Sequence, residues 1–299
     1  MRRLRAACET VCTELIIVQS AGDADGVVSA MPSVELVTLG PDALAPELWA
    51  EGFRRSRGRV VAFTTAHCLA TRGWGRSLVD AVDEGAAGAG GPMIPAPGTT
   101  ALDWAVFYLR YSAFMPSTLG AGRISTEIAG DNAAYSRERL QAHATAMATG
   151  FWELEIHKLL RAEGYWLTAV PEAVMEFGPS FGFGTIATHR FRHGVQFGAS
   201  RVRAGRNWML QAAAAPLVPI VLAARAACRL RRTSDIARFS AALPFFLALA
   251  SCWAAGEAWG GFQARSSDEM LESKRLGARE GVPTGDALSR LAEKSGDKW

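Results

Sequence analysis

The sequence predicts an α/β protein in which a mainly parallel sheet flanked by helices is followed by two apolar, membrane-associated helices. Three observations support this prediction. Strand-like and helix-like segments alternate up to about residue 205, two long apolar runs follow, and the end of the chain is polar and charged. The predicted domains are therefore an α/β domain at residues 1–205, a helical hairpin at 206–263 and a loosely ordered tail at 264–299.

The first part of the chain alternates between the two kinds of segment. β-Branched runs bounded by Gly, Pro and Asp indicate strands, and a proline in a first turn is typical of a helix. The segments are a helix at 3–12, strands at 14–20 and 34–39, a helix at 46–57 and a strand at 59–64. Alternation of this kind predicts a mainly parallel sheet with ligands beyond the carboxyl ends of its strands, which places residues 19–23 and 64–67 at one rim.

The pattern of residues along the chain changes after residue 120. The stretch GDNAAYSRERL at 130–140 is typical of a turn that leads into a helix. WELEIHKLLRAEG at 152–164 predicts an amphipathic helix ended by glycine, and YWLTAVPEAVMEF at 165–177 returns to strand character.

Composition excludes several functions. The net charge is only +3 and the arginines are spread along the chain, which argues against nucleic acid as the main partner. The five cysteines are odd in number and have no CxxC spacing, as expected of a reduced, cytosol-facing chain. Glu9, Thr10 and Glu14 interrupt any apolar signal sequence, and SAGDADG lacks the GxGxxG of a dinucleotide-binding oxidoreductase.

The two apolar runs, residues 209–228 and 239–255, leave three arrangements open. Both are marginal in length for a membrane span, and prolines interrupt them. A spanning hairpin would put the arginine-rich connector RLRRTSDIAR opposite the N-terminal domain, contrary to the positive-inside tendency. Two interfacial helices on the cytoplasmic leaflet would place these arginines at the headgroups, and a buried soluble pair is the third arrangement. Because the runs contain so few charges, membrane contact is favoured.

Several segments follow one another in an order that is specific when they are taken together. They are ELIIVQSAGDADG, LAPELWAEGFRRSRGRVVAFT, the GW at 73–74, the GGP at 90–92, GDNAAYSRERL, FWELEIHKLLRAEGYWL, RFRHG and GEAWG. Over about residues 2–262 this order resembles a family-2 glycosyltransferase of the membrane-associated bacterial kind. The resemblance implies a GT-A fold, a nucleotide-sugar donor at the sheet rim, a divalent metal on an Asp-x-Asp motif and sugar transfer with inversion. It also implies one carboxylate that removes the proton of the acceptor hydroxyl.

The resemblance puts that catalytic carboxylate on Glu153, with Trp152 beside it as an acceptor contact. A glutamate in a first helical turn is also favoured by the helix dipole alone. Asp131 and Asn132 occupy the turn where the family places donor-sugar and acceptor contacts, and they are assigned to acceptor binding. Both residue types are equally good turn and N-cap residues, so both interpretations stay open.

The predicted donor site departs from the family pattern. Its residues are Ser20, Asp23, Thr65, His67, Arg190 and His193. The Asp-x-Asp position is TTAH, so His67 is the one metal-capable side chain left there, and no confident metal site is predicted. Any dependence on Mg²⁺ or Mn²⁺ is expected to be weak. In HRFRH the interleaved arginines favour an anion-binding segment for diphosphate or lipid phosphate.

The family's first strand also has no counterpart, so either the true start lies upstream or the sheet lacks a central strand. Two functions follow. The first is transfer of a sugar from a nucleotide-sugar donor to a lipid-linked or membrane-proximal glycan acceptor, at the cytoplasmic face of the cell membrane, in cell-surface glycan synthesis. The alternative is a non-catalytic glycosyltransferase-like membrane subunit that binds a partner enzyme or glycan.

Overall fold

The structure, a computed structural model, describes residues 11, 14–21, 34–120, 122–124, 127–178, 182–231 and 233–280. Within these residues the chain is an α/β protein with mixed sheets, so the predicted class is confirmed. The predicted helix at 3–12, any strand before residue 14 and the tail beyond 280 lie outside the described residues.

The strands are short. They are β1 (Leu15–Ser20), β2 (Val34–Leu39), β3 (Val60–Phe63), β4 (Cys68–Ala70), β5 (Gly88–Gly90), β6 (Met93–Pro95), β7 (Gly122–Ile124), β8 (Ala133–Ser136), β9 (Leu167–Ala169) and β10 (Met175–Phe177).

The described helices fall into two groups. Those that alternate with the strands are α1 (Ala45–Arg55), α2 (Trp74–Asp83), α3 (Ala101–Tyr111), α4 (Pro116–Leu119), α5 (Arg137–Gln141) and α6 (Glu153–Ala162). Those that follow are α7 (Phe183–Arg203), α8 (Trp208–Ala214), α9 (Val218–Leu230) and α10 (Ile236–Glu280).

The largest sheet has the order β3-β8-β5-β9-β7 and is mixed. Only β5 and β9 pair in parallel, while β8 runs antiparallel to both of its neighbours and β7 runs antiparallel to β9. The expectation of a mainly parallel sheet is therefore wrong for this sheet. The prediction rested on the alternation of strands and helices over residues 14–64, but β3 pairs with β8, a strand that the sequence did not predict.

Two smaller sheets complete the α/β part. β1 and β2 form the parallel pair that the sequence predicts, with Leu15 opposite Val34 and Ser20 opposite Leu39. In the other sheet β10 lies between β4, which is antiparallel to it, and β6, which is parallel.

An aromatic cluster forms the core between the large sheet and its helices. Phe63 on β3 lies 4.6 Å from Phe151 and 6.0 Å from Trp49 of α1, measured between ring centroids. Tyr135 on β8 meets Phe151 edge to face at 5.3 Å. Burial of rings of this size dominates the energetics of a core, and it fixes α1 and the start of α6 against the sheet.

The chain divides into two compact units. Unit 1 comprises Met1–Phe183 and Leu222–Leu247, and unit 2 comprises Gly184–Val221 and Ala248–Trp299. The middle of the predicted hairpin therefore belongs to the α/β unit, whereas α7, which the sequence assigned to the α/β domain, belongs to unit 2 from Gly184 onward.

Both apolar runs form helices. Segments Trp208–Leu230 and Ile236–Ser266 are long and apolar enough to cross a membrane, with mean hydropathies of 1.5 and 1.6. Only 17% of the first segment's apolar window is buried, and 39% of the second, so much of both surfaces lacks protein cover. Pro216 lies in the 3-10 turn Ala215–Leu217 that separates α8 from α9, as expected from the missing backbone donor. The helix α10 continues to Glu280, into the predicted tail.

Candidate functional site

Glu153 is the first residue of α6, directly after the N-cap residue Trp152. Its carboxyl group lies against Gly130 in the 3-10 turn, because a Cβ added at Gly130 would stand 3.2 Å from both Cδ and Oε1 of Glu153. The same Cβ would stand 3.1 Å from the ring of Trp49. Glycine at position 130 therefore lets the GDN turn approach the Glu153 carboxyl closely.

Asp131, the next residue in the turn, is buried and paired. Arg110 Nη2 donates to Asp131 Oδ2 at 2.5 Å, and the Tyr111 hydroxyl donates to the same oxygen. Burial raises the pKa of Tyr111 well above its ordinary value, so its hydroxyl keeps the proton that it donates. Arg110 and the Tyr111 hydroxyl therefore compensate the charge of Asp131, which lies beside Glu153.

The surroundings of Glu153 raise the pKa of its carboxyl group. Burial raises the pKa of Glu153 to about 7, the Asp131 charge adds to the rise, and its own backbone N–H and Arg110 oppose it. A carboxyl group with this pKa is about half ionised near neutral pH and can accept a proton from a substrate and release it again. Asp131 and Glu153 thus form a pair of neighbouring carboxylates in different environments, one ion-paired and one not, a pattern typical of acid–base sites.

A buried hydrogen-bonded chain lies one turn further along α6. His157 is fully buried, and its Nε2 is 2.8 Å from the Tyr135 hydroxyl. Its Nδ1 bonds to Glu127, which also has Arg161 at 3.4 Å. This chain satisfies the polar atoms of a core imidazole and ties α6 to β8, so it orients the helix on which Glu153 sits.

Asn132 has a structural environment. Its Oδ1 accepts from Trp74 Nε1 at 2.6 Å, and its Nδ2 donates to the carbonyls of Pro92 at 3.2 Å and Ala173 at 2.9 Å. The two amide protons are thus used within the protein, and the side chain is fully buried. Trp152, the other predicted acceptor contact, is half-buried beside the predicted base.

The loop Thr64–His67 follows β3, as predicted, and adjoins the same cluster. Trp49, which contacts Gly130, donates from Nε1 to the Thr64 carbonyl at 3.1 Å. Thr65 Oγ1 donates a hydrogen bond to Cys68 Sγ at 3.4 Å. Burial raises the pKa of that thiol to about 12, and the charge of Asp131 is the second cause of the rise. The thiol is therefore protonated and unreactive.

The residues of this loop do not fit a divalent metal. It offers two hydroxyls and the exposed His67 but no carboxylate, whereas Mg²⁺ and Mn²⁺ prefer carboxylate and other oxygen ligands. Within the described part of the chain, no group of three or more His, Cys, Asp or Glu side chains could hold a metal ion. Thr64 Oγ1 in this loop is buried and has no hydrogen-bond partner among the described residues, so it is available for a further hydrogen bond.

The remaining predicted donor residues are placed as follows. Ser20 ends β1 and is buried, and Asp23 lies outside the described residues. Arg190 and His193 are on α7 in unit 2, where His193 Nδ1 accepts from Trp253 Nε1 at 3.1 Å. The structure thus brings Glu153, Asp131, Asn132 and the Thr64–His67 loop together in unit 1, and describes Arg190 and His193 in unit 2.

Sequence reasoning missed the groups that set the electrostatics of the site. Arg110 and Tyr111 end the helix ALDWAVFYLRY, and only the fold shows that they meet Asp131 20 residues later. His157 follows Glu153 at a spacing of four, so its place on the same helix face was readable, but its partners Tyr135 and Glu127 were not.

No protein-family model matches this chain, and no curated protein matches it in sequence.

Proposed function

We propose that this protein transfers a sugar, with inversion, from a nucleotide-sugar donor to a lipid-linked or membrane-proximal acceptor at the cytoplasmic face of the cell membrane, within cell-surface glycan synthesis. The fold proposed for unit 1 is a GT-A-like glycosyltransferase domain. The observation that supports this most is the Glu153 carboxyl, held with a pKa of about 7 beside the ion-paired Asp131, next to the loop that ends β3.

In this proposal Glu153 is the general base. Its carboxylate accepts the proton of the acceptor hydroxyl as that oxygen attacks the anomeric carbon, and the bond from this carbon to the nucleoside diphosphate breaks. Asp131 is unsuited to the same role, because Arg110 and the Tyr111 hydroxyl already occupy its Oδ2. A carboxyl with a pKa near the working pH combines a useful ionised fraction with enough basicity to take the proton.

The charge that develops on the leaving diphosphate also needs donors. In unit 1 the candidates are Thr65, His67 and the buried Thr64 hydroxyl, and no step through a metal ion is assigned. The sequence also assigns Arg190 and His193 to the diphosphate, because a cationic segment suits that group, and both residues lie on α7 in unit 2.

One observation favours the second function, a non-catalytic subunit that binds a partner enzyme or glycan. The loop after β3 has no carboxylate, so a metal-dependent mechanism of the usual kind has no ligands there. The half-buried Glu153 favours the enzyme, since a carboxyl whose pKa is raised by burial destabilises the fold when ionised and needs another reason to persist.

Calorimetry of detergent-solubilised protein against a panel of nucleotide sugars, with and without Mn²⁺, separates the two functions. We expect one donor to bind, with little effect of Mn²⁺, and Glu153→Gln to abolish transfer while donor affinity stays nearly unchanged. Glu155→Gln, two residues further along the same helix and exposed, is the matched control and should transfer normally. Absence of donor binding and of transfer across the panel would favour the non-catalytic subunit.

A further inference from the structure

The described part of the connector between α9 and α10, residues 231 and 233–235, packs against the α/β core of unit 1. The Tyr108 hydroxyl of α3 donates to the carbonyl of Asp235 at 3.4 Å. One turn further along α10, the guanidinium of Arg238 lies over the ring of Trp104, 5.3 Å from its centroid. The connector therefore lies on the same side of any membrane as the α/β core.

The helix ends beside the connector are part of the same core. Leu230 at the end of α9 is fully buried, and Phe239 near the start of α10 meets Tyr108 edge to face at 5.5 Å. Arg229 Nη1 donates to Ser112 Oγ at the end of α3, at 3.2 Å. A hairpin that crosses the bilayer and leaves its connector on the far side would have to break these contacts, so the structure argues against that arrangement.

The helix α7 precedes the first apolar run. This helix is unsuited to crossing a bilayer. From residue 183 to residue 206 the chain has no acidic residue and five arginines: Arg190, Arg192, Arg201, Arg203 and Arg206. Each arginine at the centre of a bilayer is costly. The cost of burying these arginines therefore argues against a position of α7 across a bilayer.

The second apolar run is held to this cationic helix by close backbone contact within unit 2. A Cβ added at Gly256 or Gly260 of α10 would overlap the backbone carbonyls of Phe191 and Val195 of α7, so the two helices touch through glycines spaced four apart. Beside this contact, Arg201 pairs with the buried Glu257. A segment packed against a charged helix in this way would take the charges of that helix into the bilayer, which is costly.

The outer surface of unit 2 is nonetheless strongly apolar. Its large exposed hydrophobic side chains include Met209, Leu210, Leu217, Ile220, Trp259 and Phe262. Leu210 alone is 71% exposed. Soluble proteins rarely expose many large apolar side chains on one surface. A bilayer would cover such a surface, and anionic lipid headgroups would complement the exposed Arg192, Arg203 and Arg206.

We propose that unit 2 is a one-sided membrane anchor, which inserts these apolar side chains into a single leaflet containing anionic lipid and does not cross the bilayer. This rests on the membrane part of the proposed function and is independent of sugar transfer, so each can fail alone. It also selects the interfacial arrangement among the three that the sequence leaves open.

Flotation of the unaltered protein with preformed vesicles tests the attachment. We expect binding to phosphatidylcholine vesicles that contain phosphatidylglycerol, and binding at least about tenfold weaker to phosphatidylcholine alone. Leu210→Glu in unit 2 should reduce binding severalfold, whereas Leu159→Glu on the exposed face of α6 should not. Absence of binding, or equal binding to both vesicle types, would overturn the proposed surface.

Labelling with a membrane-impermeant maleimide tests the sidedness. Single cysteines at exposed positions Thr145, Ala204 and Ser234 mark the α/β core, the end of α7 and the connector. The background keeps the buried Cys68 and replaces the other four cysteines by serine. All three single-cysteine variants should react from the same side of sealed membrane vesicles of the same orientation. The proposal would be overturned if the cysteine at position 145 reacted from that side and the cysteine at position 204 or 234 did not.

Discussion

The half-buried carboxyl of Glu153 should make the protein less stable as the pH rises. Its pKa in the folded protein is about 7, raised from 4.5 by burial first and by Asp131 second. A group with a raised folded pKa stabilises the folded state when protonated, and this contribution is lost as the pH rises through the folded pKa. At about 1.4 kcal/mol per pH unit, the difference corresponds to about 3 kcal/mol. This is an upper limit, because Glu153 is partly exposed to water.

Replacement by glutamine removes the titration while keeping the shape. At about pH 8 we therefore expect Glu153→Gln to raise the free energy of unfolding by up to about 3 kcal/mol relative to the unaltered protein. At about pH 5 the carboxyl is almost fully protonated in the fold, and the gain should shrink to below about 1 kcal/mol. The mutation would thus stabilise the fold while it removes the proposed base, as expected for a site that trades stability for function.

Urea unfolding in detergent micelles, followed by tryptophan fluorescence at both pH values, measures this difference. Glu155→Gln is the control, because Glu155 is exposed and pairs with Lys158 at the surface, where little energy is expected. A gain for Glu153→Gln that is the same at both pH values would refute the reasoning, since a pH-independent gain does not come from the titration of this carboxyl.

Three further changes probe the surroundings of the site and the contact between the helices of unit 2. Asp131→Asn removes a negative neighbour of Glu153 and leaves its cationic partner, so the pH at which transfer rises should move lower, as a pH–rate profile would show. Asn132→Ala should cost about 2–4 kcal/mol of unfolding free energy in urea titrations, because it orphans buried partners. Gly256→Val should lower the thermal midpoint of unfolding, since the added side chain overlaps a backbone carbonyl, whereas Gly184→Val, with open space around it, should lower it much less.

Local signals predicted most elements of the first half of the chain. The strand at Val34–Leu39 has the predicted bounds, and the proline in the first turn of α1 marked its start correctly. β8 was missed, because AAYS is a four-residue segment without β-branched residues. Its pairing depends instead on β5, where Gly88 leaves room for the ring of Tyr135: a Cβ there would stand 2.7 Å from it.

The candidate site, too, was predicted from the sequence only in part. The resemblance to a glycosyltransferase family singled out Glu153 and Asp131, and the structure places them side by side in unit 1. The predicted rim joined residues 19–23 to 64–67, but β1 and β3 lie in different sheets, so the rule that strand ends gather at one edge does not apply to them. The pairing of Asp131 with Arg110 and Tyr111, and the pKa of Glu153 that results in part from it, required tertiary contacts between residues about 20 positions apart. No local sequence pattern encodes such contacts.

The pH dependence of sugar transfer tests the central claim, that Glu153 is the general base, most directly. With the donor identified by calorimetry, kcat/KM should rise with pH through an apparent pKa near 7 and then level off. Glu155→Gln should retain this profile, and Glu153→Gln should bind the donor with nearly normal affinity but transfer no sugar at any pH. Transfer by Glu153→Gln at the rate of the unaltered protein, with the same pH profile, would contradict the account.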